Sequence, residues 1–413
     1  MVSGLILSLV VLAFVLIVIE DIIHVNKAKS TLFFGTLCWI IAFIFPINGA
    51  TPETVQHHLE ENLLEIAVLW LFLMAAMTFV AYLNSKGFIQ NLVHRVLPEK
   101  MSEKKLMFLI GMFAFCFSSL SDNITATLVS LAVVMSLKLD PKKRLKYATL
   151  IVFAVNSGGV SLITGDVTTL MIFLADKVSI GNLLLLVAPA AVSVLLLACM
   201  LSVGMNGTIT FERQKKPIEK MDFVIAAIFL TTIVGTLVLN VAYQIPPLLT
   251  FLFGLSIMFL TAQFLMRNRP GKSILNYVRE IEFDTLLFFL GVLLLVGIMK
   301  EIGVLKQITN LYAHLSPVTA NYVMGLLSAA VDNVPLTAAL LKADVTMSTH
   351  EWLTLTYATG VGGSMLIIGS AAGIIAMSKV KELTFISYLR MSVYLLIAYT
   401  VGYGGSYMMG HFV

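Results

Sequence analysis

The stretch SSLSDNITATLVSLAV, residues 118–133, places an aspartate followed by an asparagine inside a long apolar segment. A second stretch, SAAVDNVPLTAALL at residues 328–341, repeats this Asp-Asn pair about half a chain later. A carboxylate in hydrocarbon costs about 2.5 kcal/mol or more, so membrane aspartates normally face a polar cavity and mark an ion path. The two pairs therefore predict a membrane protein with a polar site in its interior.

The composition is that of an integral membrane protein. Of the 413 residues, 59% are hydrophobic and 12% are charged, whereas about a quarter of the residues of a soluble domain are charged. A membrane span needs about 20 apolar residues. Runs of this kind recur at 2–19, 31–49, 182–205, 223–243 and 384–402. We therefore predict an all-α, multi-pass protein of the lipid bilayer. The three cysteines have unrelated spacings, which favours neither a disulfide framework nor a metal cluster.

Basic residues predict the topology. Most of the 27 lysines and arginines lie in six connections, at 20–30, 84–105, 138–146, 207–220, 267–282 and 378–382. The positive-inside rule assigns these connections to the cytoplasm. This assignment explains the net charge of +4 without a nucleic-acid partner. The intervening connections are poor in basic residues, and the one at 50–62 is acidic.

Counting crossings between these connections gives a consistent path only if two segments turn back. The segment at about 106–137 must leave and re-enter the cytoplasmic side, and the segment at about 316–341 must do the same on the outer side. Each contains one Asp-Asn pair near its middle. Non-helical backbone at membrane depth is tolerated only where protein or a water-filled cavity covers it. We therefore predict two re-entrant hairpins that line a polar cavity.

The two halves of the chain resemble each other. The segment GGVSLITGDVTT at 158–169 matches GGSMLIIGSAAG at 362–373, and the Asp-Asn pairs and Gly87 and Gly303 match in the same order. The glycines in these segments allow a helix to open or two helices to pack closely. With the predicted topology, the two repeats are inverted, which is typical of secondary transporters that bind ions where the repeats meet.

This repeat divides the chain into two halves joined by a linker. The first half is 1–206, with the first hairpin and a broken helix at about 147–173. The cytoplasmic linker is 207–221. The second half is 222–413, with the second hairpin and a broken helix at about 352–377.

Three aspartates stand apart from the predicted loops and helix ends, namely Asp122, Asp166 and Asp332. Oxygen donors, which hard cations require, surround the first two. These donors are Ser119, Ser121, Asn123, Thr125, Asn156, Ser157, Thr164, Thr168 and Thr169. The alternative is that an aspartate only fixes the tip of a hairpin through hydrogen bonds. The repeat pairs Asp166 with the neutral Ser370, so we expect the first half to provide more of the charge. No buried basic partner is expected.

Four motifs carry a family resemblance: LSDNITAT at 120–127, NSGGVSLITGDVTTLM at 156–171, AVDNVPLTAAL at 330–340 and GGSMLIIGSAAG at 362–373. Together they resemble the NhaD-type sodium/proton antiporters of the ion transporter superfamily, which also holds arsenite permeases and dicarboxylate carriers. The resemblance implies a homodimer in the bacterial inner membrane, with a scaffold part and a transport part that moves like an elevator. It also implies ion handling by Asp122, Asn123, Asn156, Asp166, Thr168, Thr169, Asp332, Asn333 and Ser370.

The sequence therefore predicts a secondary transporter, not an enzyme, that exchanges sodium or lithium for protons and needs no cofactor. The cation and the proton are expected to compete for the carboxylates of Asp122 and Asp166. One alternative is an arsenite or organic-anion transporter of the same superfamily. A more remote alternative is an intramembrane aspartyl protease, but ITGD at 163–166 has Ile163 where the motif of such enzymes requires its first glycine.

Overall fold

The computed structural model describes residues 2–18, 25–45, 47, 51–88, 91, 100–135, 137, 139–210, 219–265, 276–343 and 345–412. Within these residues the chain is almost entirely helical. The helices of the first half are α1 (Val2–Val18), α2 (Lys27–Ile44), α3 (Pro52–Ser85), α4 (Glu103–Leu120), α5 (Asn123–Met135), α6 (Pro141–Gly159), α7 (Val167–Leu174), α8 (Ile180–Leu184) and α9 (Val187–Leu201).

The second half continues in the same way. Its helices are α10 (Lys220–Tyr243), α11 (Pro247–Leu265), α12 (Asn276–Arg279), α13 (Phe283–Glu301), α14 (Lys306–His314), α15 (Pro317–Ser328), α16 (Asn333–Lys342), α17 (Thr349–Gly362), α18 (Ala371–Lys379), α19 (Phe385–Leu389) and α20 (Ser392–Gly410), with a 3₁₀ turn at Ile367–Gly369.

Six helical segments of the described chain are long and apolar enough to cross a membrane. They are Lys27–Ile44, Pro52–Ser85, Ile180–Leu201, Lys220–Tyr243, Pro247–Phe264 and Phe283–Glu301. Their hydrophobic surfaces are only partly covered by other helices, as expected for helices that also contact lipid. The prediction of a helical, multi-pass integral membrane protein is confirmed.

The helices pack into two groups. The first bundle contains α1, α2, α3 and α10–α13, and its centre is the contact between α2 and α13. The second bundle contains α4–α7, α9, α15–α18 and α20. The two bundles meet chiefly where α13 of the first contacts α16 of the second. This boundary determines where the polar site lies.

Glycines allow α2 and α13 to approach closely. A Cβ atom at Gly35 would lie 2.8 Å from the carbonyl oxygen of Gly291, so the two backbones nearly touch. One turn further along, the indole Nε1 of Trp39 donates a hydrogen bond to the carbonyl oxygen of Leu294 at 2.9 Å. Small residues promote helix association in this way where lipid weakens the hydrophobic driving force.

Four helices of the second bundle begin in the interior after a short break. Helix α5 begins at Asn123 after α4 ends at Leu120, and α16 begins at Asn333 after α15 ends at Ser328. Helices α7 and α18 likewise follow α6 and α17 after longer non-helical segments. Each predicted hairpin or broken helix is therefore a pair of helices in the structure. The two hairpins predicted at 106–137 and 316–341 span 103–135 and 317–342. The two broken helices predicted at 147–173 and 352–377 span 141–174 and 349–379. Their inverted, re-entrant arrangement in a membrane stays a prediction.

Equivalent glycines of the two halves make equivalent close approaches. A Cβ atom at Gly158 would collide with the carbonyl oxygen of Phe115 on α4, and one at Gly362 would collide with the carbonyl oxygen of Gly325 on α15. In the first half, therefore, α6 lies directly against the backbone of α4. In the second half, α17 lies in the same way against the backbone of α15. Of the two roles predicted for these glycines, close packing is observed.

A small β-ribbon was not predicted. Strand β1 (Lys100–Ser102) pairs antiparallel with β2 (Thr208–Thr210). The buried Glu103 fixes the ribbon, since its Oε2 accepts a hydrogen bond from the backbone N–H of Gly207 at 3.0 Å and its Oε1 accepts one from Lys143 at 2.6 Å. The predicted linker 207–221 therefore begins as a strand, and three-residue strands are too short to show an alternating pattern. Residues 211–218 of the linker lie outside the described residues.

The close approach at Gly158 can be tested by substitution. We expect Gly158→Ala to destabilise the protein by about 1–3 kcal/mol, the usual cost of overpacking, because the opposing group is backbone and cannot rotate away. The melting temperature of the purified protein in detergent measures this. Gly404→Ala is the matched control, since α20 leaves open space around that position. Equal melting temperatures for the two variants would contradict the packing described.

Candidate cation-binding site

A cavity of about 160 Å³ lies at the boundary between the two bundles. The beginnings of α2 and α13 and the middle of α3 line it from the first bundle, and the four interior helix starts line it from the second. Seven of the ten predicted site residues lie on its wall: Asp122, Asn123, Asn156, Asp166, Asp332, Asn333 and Ser370. The fold thus brings together residues that are far apart in the sequence.

Each of the three aspartates caps one of the interior helices. The Oδ1 atom of Asp122 accepts a hydrogen bond from the backbone N–H of Thr125 at 2.8 Å. Asp166 accepts one from Thr168 at 3.0 Å, and Asp332 accepts one from Val334 at 3.1 Å. Ser370 caps α18 through the backbone N–H of Gly373 at 3.3 Å. Such caps satisfy N–H groups that the helix itself cannot.

The two Asp-Asn pairs meet at Asp166. Its Oδ2 atom accepts hydrogen bonds from the Nδ2 atoms of Asn123 at 3.1 Å and Asn333 at 3.2 Å. Ser118 donates to the Oδ1 atom of Asn123 at 2.7 Å, which fixes the orientation of that amide. Asp166 is 7% exposed. It is therefore the buried centre on which residues from both halves of the chain converge.

Asp122 differs from Asp166 in its second oxygen atom. Its Oδ1 atom caps α5, and none of the side-chain amide or ammonium groups of the described residues donates a hydrogen bond to its Oδ2 atom. Asp122 lines the cavity and is partly exposed to it. A carboxylate oxygen in this position is available to a cation, as hard cations prefer oxygen ligands.

Two further buried oxygen atoms beside the cavity lack hydrogen-bond partners among the described residues. The amide nitrogen of Asn156 donates to Val152 at 2.9 Å and to Ser370 at 3.0 Å, but its Oδ1 atom is unpaired. The hydroxyl oxygen of Thr168 is also unpaired. Buried polar atoms are nearly always satisfied, and an exception calls for an explanation such as an unseen ion.

Three of the other predicted oxygen donors hold the interrupted backbone together, whereas the buried hydroxyls of Ser121 and Ser157 lack hydrogen-bond partners among the described residues. Thr169 donates to the carbonyl oxygen of Gly159 at 3.2 Å, Thr164 donates to that of Ser119 at 2.7 Å, and the hydroxyl of Ser119 donates to Gly158 at 3.0 Å. Thr125, Thr168 and Thr169 do not line the cavity. Thr164 and Thr169 therefore hold neighbouring backbone segments together. Thr125 donates its backbone N–H to the carboxylate of Asp122.

The sequence predicts no buried basic partner for the acids, but the structure places a partly buried one beside Asp332. Lys27 was assigned to a cytoplasmic loop, but it begins α2, and its Nζ atom lies 3.3 Å from Oδ2 of Asp332. The same ammonium group lies 4.4 Å from the centre of the Phe288 ring on α13. The error arose because the positive-inside rule treats every lysine beside a span as a marker of topology.

Sequence reasoning also missed acids at the beginning of α13. Asp284 lines the cavity and accepts a hydrogen bond from Asn26 at 3.0 Å. Glu282, one residue before the helix, accepts a hydrogen bond from Thr285 at 3.3 Å. Burial, and then the nearby charge of Asp122, raise the pKa of Glu282 to about 7. Their position at the end of a predicted basic loop gave no signal that they approach the site.

Comparison with known proteins identifies the family of the chain. A family profile described as "Citrate transporter" (CitMHS) matches residues 2–362. The Na(+)/H(+) antiporter NhaD of Alkalimonas amylolytica is 30% identical over 95% of this chain and 88% of its own length. That of Vibrio cholerae is 30% identical over 94% and 88%. The chain belongs to the CitMHS family as an NhaD-type member.

A plant relative, sodium/proton antiporter 2 of Arabidopsis thaliana, is 27% identical over 95% of this chain and 96% of its own length. The NhaD-type resemblance predicted from the four motifs is confirmed. These relatives are named as transporters, so the prediction of a transporter instead of an enzyme is also confirmed. The aspartyl-protease alternative is set aside.

Glu282 predicts a pH-dependent stability. Folding raises its pKa from 4.5 to about 7, so the folded state disfavours the ionised form. Its contribution to stability is fully present below about pH 4.5 and is lost as the pH rises through about 7. We expect the melting temperature of the wild type to fall more steeply over this range than that of Glu282→Gln. Glu280→Gln is the matched control, because Glu280 is exposed. Parallel curves for wild type and Glu282→Gln would contradict the prediction.

Proposed function

We propose that the protein exchanges sodium or lithium for protons across a membrane, and that the cation and the proton compete for the carboxylates of the cavity. The observation that carries the proposal is the state of Asp122. Its carboxylate lies in an interior cavity, with one oxygen atom bound to the helix start and the other without the amide or lysine partner that the second oxygens of Asp166 and Asp332 have. The NhaD-type relatives are named as Na(+)/H(+) antiporters.

The charges of the cavity favour a cation. Four carboxylates line it, from Asp122, Asp166, Asp284 and Asp332, and Lys27 is the one basic residue that lines it among the described residues. An ionised Asp122 attracts a cation, and the unpaired oxygens of Asn156 and Thr168 lie on neighbouring elements as further donors. Protonation of the same carboxylate removes the charge that binds the cation, so one site serves both ions in turn.

Alternating access would then come from movement of one bundle against the other. The three capping aspartates belong to the second bundle, whereas Lys27 and Asp284 belong to the first. The boundary depends chiefly on one helix pair, α13 and α16, which is compatible with sliding. We propose an elevator-type displacement of the second bundle, in a protein with inverted repeats and two re-entrant hairpins, assembled as a homodimer in the bacterial inner membrane. The family resemblance supports these points.

Transport of an organic anion is the second candidate, because the matching family profile is described as a citrate transporter. An anion needs positive partners, and Lys27 is already bound to Asp332. The helix starts that could also attract an anion are each occupied by a side-chain oxygen of the protein. These observations favour cation exchange over anion transport. Arsenite, which is neutral, is the third substrate to include in the experiment.

The purified protein in lipid vesicles with an imposed pH gradient tests the proposal. We expect sodium or lithium to dissipate the gradient with the wild type. Asp122→Asn and Asp166→Asn should reduce exchange to about a tenth or less, because a charge-assisted interaction contributes about 1.5–3 kcal/mol. Asp140→Asn is the matched control, since this aspartate is exposed at the start of α6.

The proposal fails if neither cation dissipates the gradient with the wild type. Uptake of citrate or arsenite that Asp166→Asn abolishes would identify one of the alternative substrates instead. Exchange at the wild-type rate by Asp122→Asn would remove this residue from the mechanism.

A further inference from the structure

Two lysine–carboxylate pairs connect α16 to the first bundle. At the beginning of α16, Asp332 binds Lys27 of α2. At its end, Lys342 binds Glu65 of α3. Among the described residues, the other close ion pairs connect groups of the same bundle, such as Arg144 with Glu382. Helix α16 is therefore the element through which ionic contacts cross the boundary between the bundles.

The two pairs lie in different surroundings. Lys27 and Asp332 both line the cavity, and their side chains are 17% and 9% exposed. The Lys342 pair does not line the cavity, and the side chain of Glu65 is 62% exposed. An ion pair this exposed contributes little where water screens it. The charges of the Lys27–Asp332 pair therefore act directly on the cavity, and those of the Lys342–Glu65 pair do not.

The ammonium group of Lys27 is itself a monovalent cation at the carboxylate of an ion site. It lies 3.3 Å from the one oxygen atom of Asp332 that does not cap α16. We propose that Lys27 is a tethered competitor of the transported cation, which occupies Asp332 when the site is empty and releases it when a cation binds. This inference rests on the proposed cation exchange.

Phe288 offers the ammonium group a second contact. The ring centre lies 4.4 Å from Nζ, within the range of a cation–π interaction. Both Lys27 and Phe288 belong to the first bundle, so this contact persists when Asp332 is released. Lys27 therefore weakens cation binding at Asp332, and its ammonium group keeps a favourable contact after it leaves the carboxylate. A site that binds its cation less tightly also releases it more readily.

Equilibrium binding of radioactive sodium to the purified full-length protein tests this inference. We expect Lys27→Met to lower the half-saturating sodium concentration about tenfold, since an unscreened charge beside the site acts strongly at partly buried positions. Lys27→Gln should do the same and serves if the Met variant does not fold. Lys342→Met is the matched control, and we expect its half-saturating concentration to stay within about twofold of the wild type.

A double substitution separates competition at Asp332 from a general effect of charge. We expect Lys27→Met to change sodium binding by less than about twofold when it is added to Asp332→Asn, because the shared carboxylate is then absent. The same tightening in both backgrounds would overturn the inference. Unchanged or weaker binding by Lys27→Met, in a protein whose wild type exchanges sodium for protons, would overturn it while leaving the proposed function intact. A wild type that neither binds nor exchanges sodium would overturn both.

Discussion

The interior of this protein depends on hydrogen bonds to the backbone N–H groups at buried helix starts. Four helices of the second bundle begin beside the cavity, and the backbone N–H groups of a first helical turn have no partners within the helix. Asp122, Asp166 and Asp332 accept hydrogen bonds from three of these starts, and Ser370 accepts one from the fourth. The positive end of the helix dipole stabilises a carboxylate at this position. The residues that complete the fold are thereby also the residues that keep negative charge inside it.

Each of these aspartates can therefore stabilise a helix start and also contribute charge to the cavity, so a structural role does not exclude a functional one. A carboxylate has two oxygen atoms, and in all three aspartates one of them caps a helix. The second oxygen distinguishes them: that of Asp166 accepts hydrogen bonds from two side-chain amides, that of Asp332 faces Lys27, and that of Asp122 contacts neither a side-chain amide nor a lysine among the described residues. The asymmetry expected from the pairing of Asp166 with Ser370 therefore extends to the two Asp-Asn pairs, which are alike in sequence and different in surroundings.

The local features of the site could be predicted from the sequence, whereas its long-range partners could not. The broken helices at about 147–173 and 352–377 were predicted from motifs and glycines shared by the two halves, and helices begin next to Asp166 and Ser370 within these segments. Lys27 and Asp284 lie in equally ordinary contexts at the ends of basic connections. Lys27 approaches Asp332 only because α2, α13 and α16 pack together, and a single sequence does not encode that packing in any local pattern. The ribbon fixed by Glu103 was missed for a related reason, since its strands are distant in the chain.

The contact between Gly35 and Gly291 has a consequence for the shape of the cavity opening. Helices α2 and α13 begin side by side, where Asn26 binds Asp284, and their backbones nearly touch again at the two glycines. A pair joined by a side-chain hydrogen bond at one level and by backbone contact at another resists separation. The pair forms one wall of the cavity, and the four capped helix starts line it from the second bundle. In the proposed exchange, the quantity that changes is then the distance between this helix pair and the four capped helix starts.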